Sequence, residues 1–166
     1  MPARQRAQAL VEFALVSMLL IVVVAGIMDF SYLFFGRSAA YQATRVAARF
    51  AATHPSAWSS AASPDRTSIE GQLVLTGIPA RIANDDQHIT ISYLFPGAGA
   101  PTLCGQWSAM QNQFVAQPGQ SQASCLVPGN LIQVQATYSY LFITPMLRQS
   151  RGSVTIATQA AMLEEV

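Results

Sequence analysis

Few residues in this 166-residue chain have the type and spacing to do chemistry. The most unusual is Glu12, a carboxylate at the head of the uncharged run Phe13 to Met28. A charge within a membrane-spanning helix costs roughly 2.5 to 3.5 kcal/mol at its centre and less near its end, so such groups are commonly paired or functional. Glu12 has two readings on these grounds. It either snorkels to the headgroups near Arg4 and Arg6, or it compensates a cation supplied by another chain. Cys104 and Cys125 are the only cysteines, separated by twenty residues and accompanied by neither a Cys-x-x-Cys spacing nor a histidine pair. Their expected role is a structural disulfide in an oxidising compartment, with no metal or catalytic part. Asp85, Asp86 and His88 follow Asn84 in turn-forming order and offer too few ligands for a cation. His54 precedes Pro55 at a helix end. No Ser-His-Asp arrangement, phosphate loop or convergent acid pair is visible, and the expectation is no enzyme, no catalytic residue, no metal and no cofactor.

The elements that position these residues begin with the apolar run. The chain is 51% hydrophobic and 10% charged, against about 25% charged in an ordinary globular domain. Together with Ala9 to Val11, the run through Met28 amounts to about 20 residues, enough to cross ~30 Å of hydrocarbon at 1.5 Å per residue. Arg4 and Arg6 precede it and Asp29 follows it, which predicts a single pass with a cytoplasmic N-terminus. Asp29 then lies ~25 Å beyond Glu12, near the far interface. A net charge of +1 with no cluster of basic residues argues against nucleic acid as a partner.

Three readings of the front segment compete. A secretory signal peptide would end near Val23-Val24-Ala25, but the apolar pattern continues through Phe30, Tyr32, Leu33, Phe34 and Phe35, and Glu12 falls in the hydrophobic region. A plain single-pass anchor leaves Glu12 to snorkel. The third reading takes the string Arg6-Ala7-Gln8-Ala9-Leu10-Val11-Glu12-Phe13-Ala14-Leu15-Val16 as a whole, together with Gly26 to Phe34 and the alanine-rich Ala39 to Arg49. This pattern resembles the TadE-like family of minor pseudopilins of Tad (tight adherence) pilus systems, which are type IV pilin-like proteins.

The resemblance covers roughly residues 6 to 52. It implies a prepilin peptidase that cuts between Ala7 and Gln8, placing Glu12 fifth and Phe13 sixth in the mature chain; Ala7 stands where the commonest pattern has Gly. It also implies pilin or pseudopilin subunits and pilus assembly machinery as partners. The expected location is the inner membrane, with lipid around the span and the C-terminal domain extracytoplasmic, or a cell-surface pilus. The function implied is non-enzymatic, in filament biogenesis and adhesion. The spacing has its own physical sense, since a new α-amine at Gln8 in apolar surroundings is a costly cation that a carboxylate from a staggered neighbour compensates. A rival function class is a membrane-anchored binding module that captures its ligand with the segment 96–130.

The expected architecture is α+β and, through the resemblance, type IV pilin-like. Residues 1–7 are a cytoplasmic leader, and 8–52 contain no proline and read as one long helix, transmembrane over about 9–29. In its second half Ala39, Ala43, Val46, Ala47 and Phe50 form an apolar stripe, and Arg37, Tyr41, Arg45 and Arg49 another face. That arginine row reads as a solvated face or, with Glu12 and Asp29, as the set that meets a neighbouring subunit in assembly. Residues 53–63 are a linker, and 64–166 an exported domain. It opens with a helix at 64–76 capped by Ser63. Period-two alternation then predicts strands at His88–Phe95, 131–143 and Ser153–Leu163, in a small antiparallel three-stranded sheet with a disulfide loop at 96–130.

Overall fold

The structure, a computed structural model, describes residues 3–165, with side chains described there except at 3–7, 146, 150 and 151. One helix, α1, runs unbroken from Ala3 to Thr53. Gly26 and Gly36 do not interrupt it, because a lone glycine costs a helix only about 1 kcal/mol. Pro55 follows the end of the helix, where the His54 ring stacks on Phe50 with centroids 4.5 Å apart.

The described elements after α1 are α2 (Ile69–Thr76), a 3-10 turn at Ile78–Ala80, β1 (Ile89–Phe95), β2 (Thr102–Ser108) and β3 (Gln113–Ala116). They continue with α3 (Gln122–Cys125), β4 (Leu131–Leu141), α4 (Pro145–Arg151) and β5 (Ser153–Leu163). The fold class is α+β as expected, but the sheet has five strands in the order β3-β2-β1-β4-β5, not three. The three anticipated strands keep their serial order. The segment 96–130, expected as a loop, adds the β2–β3 hairpin to the other edge of β1 and supplies α3 as well. β2 is interrupted by Gly105 and mixes polar with apolar residues, and β3 is only four residues long, so neither carries the alternation that marks a strand in sequence. Their pairing with β1 makes β1 an inner strand, which explains why Ser92 and Leu94 are buried along with Ile91 and Tyr93.

Two compact units make up the chain. One contains α1 up to Phe34 together with Leu141–Val154, and the other contains Phe35–Tyr140 with the strand from Thr155 onward. The hydrophobic core belongs to the second unit. Ala40, Ala43, Ala47, Ala48 and Ala51 of α1 are fully buried and share a core with Ile69, Leu73, Ile91, Tyr93, Ile132 and Val134. The buried row therefore lies off the expected one, for Val46 is 39% exposed. Alanines occupy both rows, and only their packing selects Ala40, Ala48 and Ala51. The row's small side chains allow close approach of the backbone to the rest of the core. The alternation expected in β4 holds, with Ile132, Val134, Ala136 and Tyr138 buried.

The helix expected at 64–76 starts later, at Ile69, capped by Ser68. Residues 65–68 form a turn instead, in which Asp65 Oδ1 accepts from Thr67 N at 3.0 Å and from Thr67 Oγ1 at 2.5 Å. Ser68 Oγ accepts the Gly71 amide at 3.1 Å and donates to the Asp65 carbonyl at 3.0 Å. This turn folds so tightly on α2 that a Cβ at Gly71 would lie 1.5 Å from the Asp65 carbonyl oxygen. Gly71→Ala is expected to displace the turn and lower stability by about 1–3 kcal/mol, read as an earlier thermal transition of the full chain in detergent. An unchanged melting temperature would refute the close approach.

Candidate functional site in the apolar helix and its acidic residues

From Leu10 to Phe35 the large apolar side chains of α1, half-buried Leu33 apart, are uncovered by the protein, Phe13 being 71% and Ile21 67% exposed. Among the described residues this is the one helix long and apolar enough to cross a membrane. The polar groups inside the stretch are neutralised locally. Ser17 Oγ donates to the Ala14 carbonyl at 3.0 Å and Ser31 Oγ to the Ile27 carbonyl at 2.8 Å, so neither hydroxyl presents an unmet donor to hydrocarbon. Gly26 opens a shallow apolar hollow bordered by Val23, Ile27, Phe30 and Phe34, the kind of notch that lets helices approach in lipid.

Gln8, Glu12 and Phe13 are exposed on this helix surface, and the Ala7 side chain lies outside the described residues. The backbone is helical through Ala7 and Gln8. Glu12 and Phe13 thus project from a rigid element with their apolar neighbours, available to another chain or to lipid.

Asp29 behaves differently from its expected place among surface assembly residues. It is fully buried, and its carboxylate takes two backbone amides: Ile143 N–H donates to Oδ1 at 2.7 Å and Thr144 N–H donates to Oδ2 at 2.9 Å. These amides lead directly into α4, whose first residue is Pro145. Asp29 is therefore an internal staple of the first unit, joining α1 to a segment more than a hundred residues away in sequence. No sequence signal links the two, because an Asp beyond an apolar run looks the same whether it meets water or a distant amide.

Arg37, Arg45 and Arg49 are all exposed, and the Arg45 guanidinium lies 5.8 Å from the centre of the Tyr41 ring. Arg37 also acts on Tyr138. Burial pushes the Tyr138 hydroxyl above its usual pKa and the Arg37 charge partly opposes this.

The disulfide between Cys104 and Cys125 is present and joins β2 to α3, with both residues fully buried. Asp85 and Asp86 serve as turn residues. Asp85 Oδ1 accepts from the His88 amide at 2.9 Å and contacts its Nδ1 at 2.7 Å, which holds the carboxyl below its ordinary value against the effect of burial. Asp86 accepts from Ser108 Oγ and the Ala109 amide, closing the β2–β3 turn.

Sequence reasoning missed a buried acidic cluster in the second unit. Glu70 is 1% exposed; its Oε2 accepts the Ser59 amide at 3.0 Å and its Oε1 has no hydrogen-bond partner. Burial raises its pKa to about 7, opposed by the Ser59 amide and the nearby Trp107 indole. Glu164 is also buried, without partners for its carboxylate oxygens, and is shifted upward by burial. Both act on Tyr93, whose hydroxyl accepts from Trp58 Nε1 at 2.8 Å and donates to the Pro55 carbonyl. Trp58 stacks on Trp107 at 4.7 Å. Glu70 was hidden because it occupies the first turn of α2, a customary surface position for an acid.

No curated protein and no solved structure matches this chain. The family model described as TadE-like protein matches residues 7–49, the segment that carries Glu12, the uncovered apolar surface and the arginine row, and this part of the chain is similar to that family.

Proposed function

We propose that this protein is a minor pseudopilin-type subunit of a Tad or type IV-like pilus, non-enzymatic, held in the inner membrane by one pass of α1 with its N-terminus cytoplasmic. The observation that carries the reading is the coincidence of the TadE-like match with an uncovered apolar helix bearing one acid, Glu12, at its head. An apolar surface of this length has two stable environments, lipid and the corresponding helices of other subunits, and a filament assembled from a membrane uses both in turn. Prepilin peptidase cuts between Ala7 and Gln8. The Gln8 α-amine of one subunit then meets Glu12 of a staggered neighbour, which offsets the cost of holding either charge away from water. Arg37, Arg45 and Arg49 meet acidic groups of other subunits beyond the membrane, and the exported domain primes, caps or decorates the filament in adhesion.

Mass spectrometry of the N-terminus of protein isolated from its native membrane tests the processing. A chain starting at Gln8 is expected, whereas a start at Gly26 indicates a secreted protein and an intact Met1 a permanent anchor, and either overturns the reading. Glu12→Ala is expected to lower recovery of the subunit with sheared surface filaments about tenfold, equivalent to roughly 1.4 kcal/mol of lost pairing. The amount in the membrane fraction should not change. Full incorporation of the variant would reduce Glu12 to a snorkelling residue of an anchor.

A further inference from the structure

The segment joining β4 to α4 sits beside the apolar helix at the level of Asp29, because that carboxylate holds the amides of Ile143 and Thr144. Amides without partners cost several kcal/mol each in hydrocarbon, so irregular backbone survives next to lipid only where an acceptor is provided. Asp29 is that acceptor. Around it the large side chains are uncovered: Leu141 is 59% and Ile143 66% exposed on the connection, and Phe30 and Phe34 are exposed on the helix. Tyr32 is exposed at the same level, an amphipathic ring of the kind that settles among headgroups. Arg148, exposed in the first turn of α4, adds a cation suited to lipid phosphates.

We propose that the Leu141–Thr144 connection is a second membrane contact. It is seated in the headgroup region of the leaflet reached by the C-terminal end of the span, with Leu141 and Ile143 in lipid and Asp29 as the staple that holds them there. The proposal rests on the reading of α1 as a membrane span. Lipid is favoured over a second copy of this chain because the uncovered side chains are continuous, through the Asp29 contact, with the apolar surface of the span itself. The contact would fix the depth of the helix.

The test uses the full-length protein in phosphatidylcholine–phosphatidylglycerol vesicles, plain or with acyl chains brominated close to the headgroup, with the emission of Trp58 and Trp107 subtracted. Ile143→Trp and, as a probe of the span, Val22→Trp are each expected to lose about half or more of the added emission to the bromines. Quenching of Val22→Trp alone overturns the second contact and leaves the span standing. Quenching of neither overturns both. A photoreactive benzoylphenylalanine placed at Leu141 should label lipid, and cross-linked copies of the chain would assign the face to a second subunit and overturn the proposal. Adding Asp29→Leu should cut the quenching of Ile143→Trp at least about twofold while leaving Val22→Trp unchanged, with Asp29→Asn between. Quenching of Ile143→Trp that survives Asp29→Leu in full would remove Asp29 from its role as the staple, and this part of the proposal with it.

Discussion

Replacing Cys104 and Cys125 with alanine is expected to destabilise the β-sheet unit by about 3 kcal/mol, the chain-entropy value for a loop of this size. The bridge spans 21 positions and ties β2 to α3. It closes the segment least able to hold itself together, for β2 and β3 bury few side chains completely and α3 is four residues long. Without it, the β2–β3 hairpin retains its pairing to β1 through Ile91 to Phe95, but α3 loses its covalent tie and is left with its packing on the sheet, its capping box and the Asn130 side chain, which donates to the Cys125 carbonyl at 2.9 Å. In a unit of this size 3 kcal/mol corresponds to a fall in melting temperature of about 15 °C. Thermal unfolding of the full chain in detergent, followed by near-ultraviolet circular dichroism, checks this for the double variant. Alkylation before and after reduction verifies the parent, and free thiols in the native protein or an unchanged melting temperature would refute the stapling role.

Glu70→Gln is expected to stabilise the protein at pH 8 by roughly 3 kcal/mol and to have little effect at pH 4, a dependence set by proton linkage. Burial holds the folded carboxyl at about 7, against an ordinary value of 4.5 in the unfolded chain. Between those two values the folded state binds more protons than the unfolded state, so stability falls as pH rises. The contribution of Glu70 is fully present below about 4.5 and is lost by the time pH passes about 7. An amide at this position keeps an oxygen for the Ser59 amide and has no charge to desolvate. Glu164, shifted upward by burial, contributes a residual slope of the same sign. Chemical denaturation of the parent and Glu70→Gln at pH 4, 6 and 8 decides the matter. Parallel curves for the two proteins would show that Glu70 is not desolvated in the folded state.

The long helix, the position of Glu12 and the alternation of β4 were legible in the sequence because each is a local pattern with a fixed period. Sixteen uncharged residues between Phe13 and Met28 define an apolar segment regardless of anything distant, and Ile132, Val134, Ala136 and Tyr138 announce a buried face every second residue. The cysteines were legible for a different reason, since two isolated thiols without metal-ligand spacing leave a bridge as the economical outcome.

What only the tertiary structure decided depends on partners far away along the chain. Alanines on two adjoining rows of α1 are equivalent in sequence, and the core chose the row through Ala40 and Ala48. β2 and β3 exist because β1 offers them an edge, and their own composition does not require a strand. Glu70 and Asp29 show the same point in opposite senses: one acid is buried with an oxygen unpartnered and holds its proton to about pH 7, while the other is buried against two amides that it satisfies. Sequence by itself determined where this protein is apolar and where its acids stand. Desolvation and hydrogen bonding are set by what folds against a group, so the fate of each acid was decided only when the chain closed around it.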